Sequence, residues 1–170
     1  MKEVKLILAG LIILIITSCN KEIDIKKEEE AIKAVIENET NSYYAKNYDQ
    51  QIKSFLQDEN LIVLVSSKKR YVYVVGWEEL SQHIKENYEK DPIPRERCQF
   101  TNYNIKVYKE SAWVVFDEIV LNNDNVFLKK ITNVRFLKKV DGKWKIVYLS
   151  HVNITSYEEK VEEEESEQQK

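Results

Sequence analysis

Between residues 100 and 154 the chain is almost continuously β-branched and aromatic, and this stretch limits the fold more than any other. Four long runs occupy it, at 100–108, 112–121, 126–138 and 143–154. The breaks are short and polar: Lys109-Glu110-Ser111, residues 122–125, and Asp141-Gly142. Asp-Gly is a strong two-residue hairpin signal because both turn positions need positive φ. Long runs joined by such short breaks pair as antiparallel neighbours.

The first half reads differently. A polar tether is followed from Glu28 by a helical pattern, with Glu28, Glu29 and Glu30 in a first turn that suits acids. Ile32, Val35, Ile36 and Tyr43 share one face, with Glu39 and Thr40 between them, and the helix is expected to end near Asn47. Asp49 can cap a short second helix carrying Ile52, Phe55 and Leu56. Residues 61–65 and 71–75 read as a hairpin around a polar turn at 66–70. Gly76 ends it, and Trp77, Leu80, Ile84 and Tyr88 mark a third helix over 77–90, stopped by Asp91-Pro92-Ile93-Pro94. Helices followed by long antiparallel strands predict an α+β domain, its helices packed on one face of a curved sheet.

Composition removes several functions. The length of 170 residues suits one domain, and 26 Lys+Arg against 29 Asp+Glu leave no basic footprint for nucleic acid. The three glycines, Gly10, Gly76 and Gly142, lie too far apart for a phosphate-cradling loop, so no nucleotide cofactor is expected. Two histidines without HxH or HExxH spacing give no metal site. The stretch 158–170 holds seven acids and two lysines, has no apolar period, and is expected to be a disordered tail. The remaining body is close to neutral.

The N-terminus reads as an address. Lys2 and Lys5 precede an apolar run at 6–16, about half the length of a spanning helix. It ends in Ile16-Thr17-Ser18-Cys19, which resembles the lipobox of bacterial lipoproteins. That resemblance implies a signal peptide at 1–18, a diacylglycerol-modified Cys19 opening a tether at 19–27, and an exported domain held to the lipid bilayer of the cell envelope. Asn20 stands where an aspartate would favour inner-membrane retention, which points to the outer membrane. Cys98 is then left as a free thiol, and its neighbours Arg97 and Gln99 offer no catalytic base.

Several runs are similar to those of the nuclear transport factor 2-like superfamily, in its SnoaL-like branch, over residues 28–157. They are Tyr43-Tyr44-Ala45-Lys46-Asn47-Tyr48-Asp49, Gly76-Trp77-Glu78-Glu79-Leu80, Ala112-Trp113-Val114-Val115-Phe116-Asp117 and Asp141-Gly142-Lys143-Trp144-Lys145-Ile146-Val147. The resemblance implies a cone: a curved antiparallel sheet wrapped around a long N-terminal helix, with two further helices and a pocket at the open end. It also implies a family that holds isomerases, cyclases and dehydratases beside domains without a known reaction, and in which dimers are common.

Within that frame Asp117 is the candidate base, a carboxylate sharing a strand face with Trp113, Val115 and Ile119. His151, on one face with Val147 and Leu149, is its candidate proton donor, and His83 lies on the buried side of the third helix. Tyr44, Trp77, Trp113 and Arg135 are the expected ligand contacts, Arg135 as a clamp for an anion. Three functions follow as expectations: a lipoprotein whose pocket binds a small apolar or amphipathic ligand without catalysis; a cofactor-independent isomerase, lyase or hydrolase using Asp117; or a homodimeric interaction module of the envelope.

Overall fold

The computed structural model describes residues 23–66 and 71–156. The signal segment, Cys19, the basic turn residues Lys68, Lys69 and Arg70, and the acidic tail lie outside the described residues.

Helix α1 spans Ile25–Tyr44 and starts three residues before the expected Glu28. Asp24 accounts for the difference, since its side chain accepts the Lys27 N–H at 3.1 Å and caps the helix earlier. Ile32 and Ile36 are fully buried. Past Tyr44 the chain turns through Lys46 at φ 55°, and Asn47 caps α2 (Tyr48–Gln51) by accepting the Gln50 N–H. Asn47 thus takes the capping role expected of Asp49, which sits in the first turn instead. A 3-10 turn, Ile52–Ser54, leads to β1 (Ile62–Ser66), β2 (Tyr71–Val75) and α3 (Trp77–Lys90). The long strands are β3 (Glu96–Val107), β4 (Ser111–Asn122), β5 (Phe127–Val140) and β6 (Lys143–Ser156). Asp141 and Gly142, at φ 50° and 74°, make the β5–β6 hairpin turn.

The six strands form one curved sheet in the order β2-β1-β6-β5-β4-β3. It is mixed rather than wholly antiparallel, because β1 lies parallel to β6 with Ile62 opposite Tyr148. The cause is topological: α3 carries the chain from β2 at one edge to β3 at the other, and three hairpin turns bring β6 back in the direction of β1. Irregular register in β3, where Asn102 sits at φ 55°, and at two places between β5 and β6 adds bends of the kind that curve a sheet.

Alternation along β4 sorts the side chains. Ala112, Val114, Phe116, Glu118 and Val120 are buried on the concave side that receives α1. Trp113, Val115, Asp117 and Ile119 occupy the opposite side. The main core joins Ile32 and Ile36 to Val114, Phe116, Leu137 and Ile146. Glu28 ties the start of α1 to the sheet, accepting from Lys139 Nζ at 2.6 Å and Trp144 Nε1 at 2.7 Å. Among the described residues no helix is long and apolar enough to cross a membrane.

Candidate functional site

The concave side does not close completely. A cavity of about 120 Å³ remains between α1, α2, α3 and the inner faces of β1, β2, β4, β5 and β6. Val63, Val65, Val72, Leu80, Ile84 and Leu149 give it an apolar wall. Glu39, Gln51, Glu118, Arg135 and the hydroxyls of Tyr44 and Tyr88 give it a polar floor.

The floor groups are hydrogen-bonded to one another across five elements. Tyr88 on α3 donates to Gln51 Oε1 at 2.6 Å, and Gln51 Nε2 donates to Glu39 Oε1 at 3.0 Å. Glu39 Oε2 accepts from Thr40 at 3.1 Å and from Arg135 Nη2 at 3.4 Å. Arg135 Nη1 donates to Asn133 Oδ1 and to the Val134 carbonyl, both at 3.2 Å. Asn133 Nδ2 in turn donates to Glu118 Oε2 at 3.2 Å, while Tyr44 donates its hydroxyl to Glu118 Oε1. The Arg135 guanidinium also lies over the Phe116 ring, 5.4 Å from its centroid. Its Nε is buried and has no hydrogen-bond partner among the described residues. Buried donors of that kind are rare in folded proteins.

Burial dominates the electrostatics. It raises the pKa of Glu118 above the ordinary carboxylate value, against the lowering pull of Tyr44 and Arg135. The Tyr44 phenol is pushed far up by burial and by the neighbouring Glu118. Burial lowers the pKa of Arg135, while Glu39 and Glu118 favour its charged form.

The structure brings Tyr44, Arg135 and His151 to this cavity, with His83 opposite on α3. Asp117, Trp77 and Trp113 are not among its lining residues. Asp117 is on the other side of the sheet, held by Lys130 Nζ at 2.8 Å, Asn102 Nδ2 at 2.7 Å and Thr132 Oγ1 at 2.8 Å. Burial alone would raise its pKa, but these three donors hold it below the ordinary range. It therefore cannot pair with His151 on one cavity ligand. Trp113 is 45% exposed on the same outer face, against Phe136 at 4.9 Å and Tyr148 at 6.2 Å between ring centroids. Trp77 is half-buried at the start of α3, packed on Phe55. Arg135 is engaged by Glu39 rather than held open for an anion. Cys98 is half-buried beside Asn41, and burial raises its thiol pKa, the reverse of a nucleophile's requirement.

Glu39, Gln51, Asn133 and Glu118 are the site residues that reading the sequence missed. A signal existed for two of them. Glu39 falls at helical spacing between Ile36 and Tyr43, and Glu118 alternates with Val114, Phe116 and Val120. Among the described residues no group of three or more His, Cys, Asp and Glu side chains could hold a metal ion.

No protein-family model matches the sequence, and none of the curated proteins matches it. Solved structures do. A nuclear transport factor 2-like protein of unknown function from Pseudomonas putida aligns with TM-score 0.62 at 9% identity, over 74% of this chain and 86% of that one. A protein with a cystatin-like fold from Nostoc punctiforme aligns with TM-score 0.60 at 14% identity, over 72% of this chain and 88% of that one. A nuclear transport factor 2-like protein from Shewanella oneidensis gives 0.55 at 12%, over 73% and 98%. At these identities the likeness is one of fold.

Proposed function

From the nuclear transport factor 2-like fold of this chain, we propose a lipid-anchored protein of the bacterial cell envelope whose cone cavity binds a small amphipathic ligand without transforming it. One observation carries the binding: an apolar wall meets a buried polar floor around about 120 Å³ of space. An engineered cavity of roughly 150 Å³ accepts benzene, so the ligand is of that size, on the order of six heavy atoms. The catalytic alternative loses its base, since Asp117 lies across the sheet from the cavity.

Native mass spectrometry of freshly purified protein tests the binding. Extra mass that disappears on denaturation is the expected result. A bare mass that stays bare across a panel of small amphipathic compounds overturns the reading. The anchor rests on Lys2, Lys5, the apolar run and Ile16-Thr17-Ser18-Cys19. Cys19→Ser is expected to move the protein from the membrane fraction to the soluble one, and retention in the membrane would refute lipidation there.

A second reading is favoured by the outer sheet face. Trp113, Val115, Tyr73 and Val75 are all at least 40% exposed there, and apolar surface of this kind marks protein contact. Its occupant is a second copy of this chain.

A further inference from the structure

Resting on the cavity reading above, we infer that the ligand is a small alkyl or aryl amine bound as its ammonium ion, the charged end beside Glu118 and the apolar end against Val63, Val65, Val72 and Leu149. The argument is a count of charge. Two carboxylates, Glu39 and Glu118, and one guanidinium, Arg135, line the cavity. Arg135 is already engaged, to Glu39 and Asn133 by hydrogen bonds and to Phe116 by its planar face. Glu118 is bonded only to neutral partners, the Tyr44 hydroxyl and the Asn133 amide. A buried carboxylate so placed needs a proton or a cation to offset its charge.

Among the described residues that line the cavity there is no lysine and no arginine besides Arg135. α1 presents Tyr44 and Glu39 to this carboxylate, β3 presents Cys98 to it and Glu96 to Tyr44, and β5 presents Arg135. Glu96 is already paired with Lys129 at 3.4 Å. The other titratable lining groups are Tyr43 and Tyr88 and the imidazoles of His83 and His151. An anionic ligand would meet two carboxyl groups, and a neutral one would leave Glu118 relying on its own proton. An ammonium can replace that proton. Each oxygen of Glu118 accepts one hydrogen bond from protein, and a carboxylate oxygen has room for about two. Burial favours a proton on Glu118 when no cation is present, so the ammonium takes that proton's place and the proton leaves to solvent.

The test uses the full-length protein, methyl-labelled, at about pH 8, where an imidazole of ordinary pKa is neutral and an alkylamine is still charged. Three probes of one shape are titrated: 3-methylbutylamine, 3-methyl-1-butanol and 3-methylbutanoate. The methyl signals of Val63, Val72 and Leu149 report occupancy. The expected result is that the amine binds at least about tenfold more tightly than either of the others. Equal or tighter binding of the alcohol or the carboxylate overturns the amine while the binding cavity stands. If none of the three shifts the methyl signals up to millimolar concentrations, the cavity reading itself fails. Glu118→Gln keeps the side-chain shape, and circular dichroism checks its fold. It is expected to weaken the amine about tenfold and leave the alcohol unchanged. Unchanged amine affinity in a folded Glu118→Gln protein overturns the assignment of Glu118 as counter-ion.

Discussion

At Glu118 burial outweighs a phenol, an amide and a nearby guanidinium, and the sign of that balance can be read from stability. The folded protein holds this proton more tightly than the unfolded chain, so stability falls as pH rises from the ordinary glutamate value of 4.5 through the higher folded value. Asp117 and Glu28 act in the opposite sense. Their pKa values are depressed in the folded state, so their contributions are present above the ordinary values and lost as pH falls through the folded ones. Glu118→Gln is therefore expected to gain stability relative to the wild type as pH rises above 4.5. Urea midpoints for both proteins across a pH series check this, and a difference that stays constant with pH would contradict it. The same residue shows why the site was only half legible. Both faces of β4 carry a carboxylate among apolar neighbours: Asp117 with Trp113 and Val115, Glu118 with Phe116 and Val120. A strand of period two marks both as unusual, and only the packing of α1 decides which face is interior.

Among the elements, those with local punctuation were the legible ones. Gly76 and Asp91 bracket α3 at Trp77–Lys90, the span that the sequence predicts, and Asp141-Gly142 placed the last hairpin. Where the sequence offers no single stop signal, as ahead of the acids at 28–30 and ahead of Asp49, the boundary is settled by which backbone N–H groups a side chain can reach, that of Asp24 in one case and of Asn47 in the other. The parallel β1–β6 pairing left no local mark, since strand partnership between distant segments is a property of the packed sheet. Gly76 itself sits at φ 86° and ψ 155°, a region open in practice to glycine alone. A Cβ there would also lie 3.4 Å from the Glu59 carbonyl oxygen. Gly76→Ala should cost about 1–3 kcal/mol, read from chemical denaturation. An unchanged midpoint would mean that the β2–α3 junction relaxes freely.

For the molecule as a whole, the outer sheet face sets the expected assembly. Trp113, Phe136 and Tyr148 form an aromatic cluster on it, with Asp117, Lys130 and Asn102 as polar neighbours. If two copies meet there, Trp113→Glu converts a wild-type dimer into a monomer in analytical ultracentrifugation. A wild-type monomer at tens of micromolar would rule the contact out. The parallel seam between β1 and β6 has a different consequence, one of time. The meander from β3 to β6 can assemble from neighbours in sequence, whereas the β1–β2 hairpin must wait for the final strand before it joins the rest of the sheet. Val63, Val65 and Val72 on one side of the cavity and Leu149 and His151 on the other meet only across that seam. The cavity is thus the last part of the molecule to take shape as the chain folds, and a polypeptide still awaiting β6 lacks one of its walls.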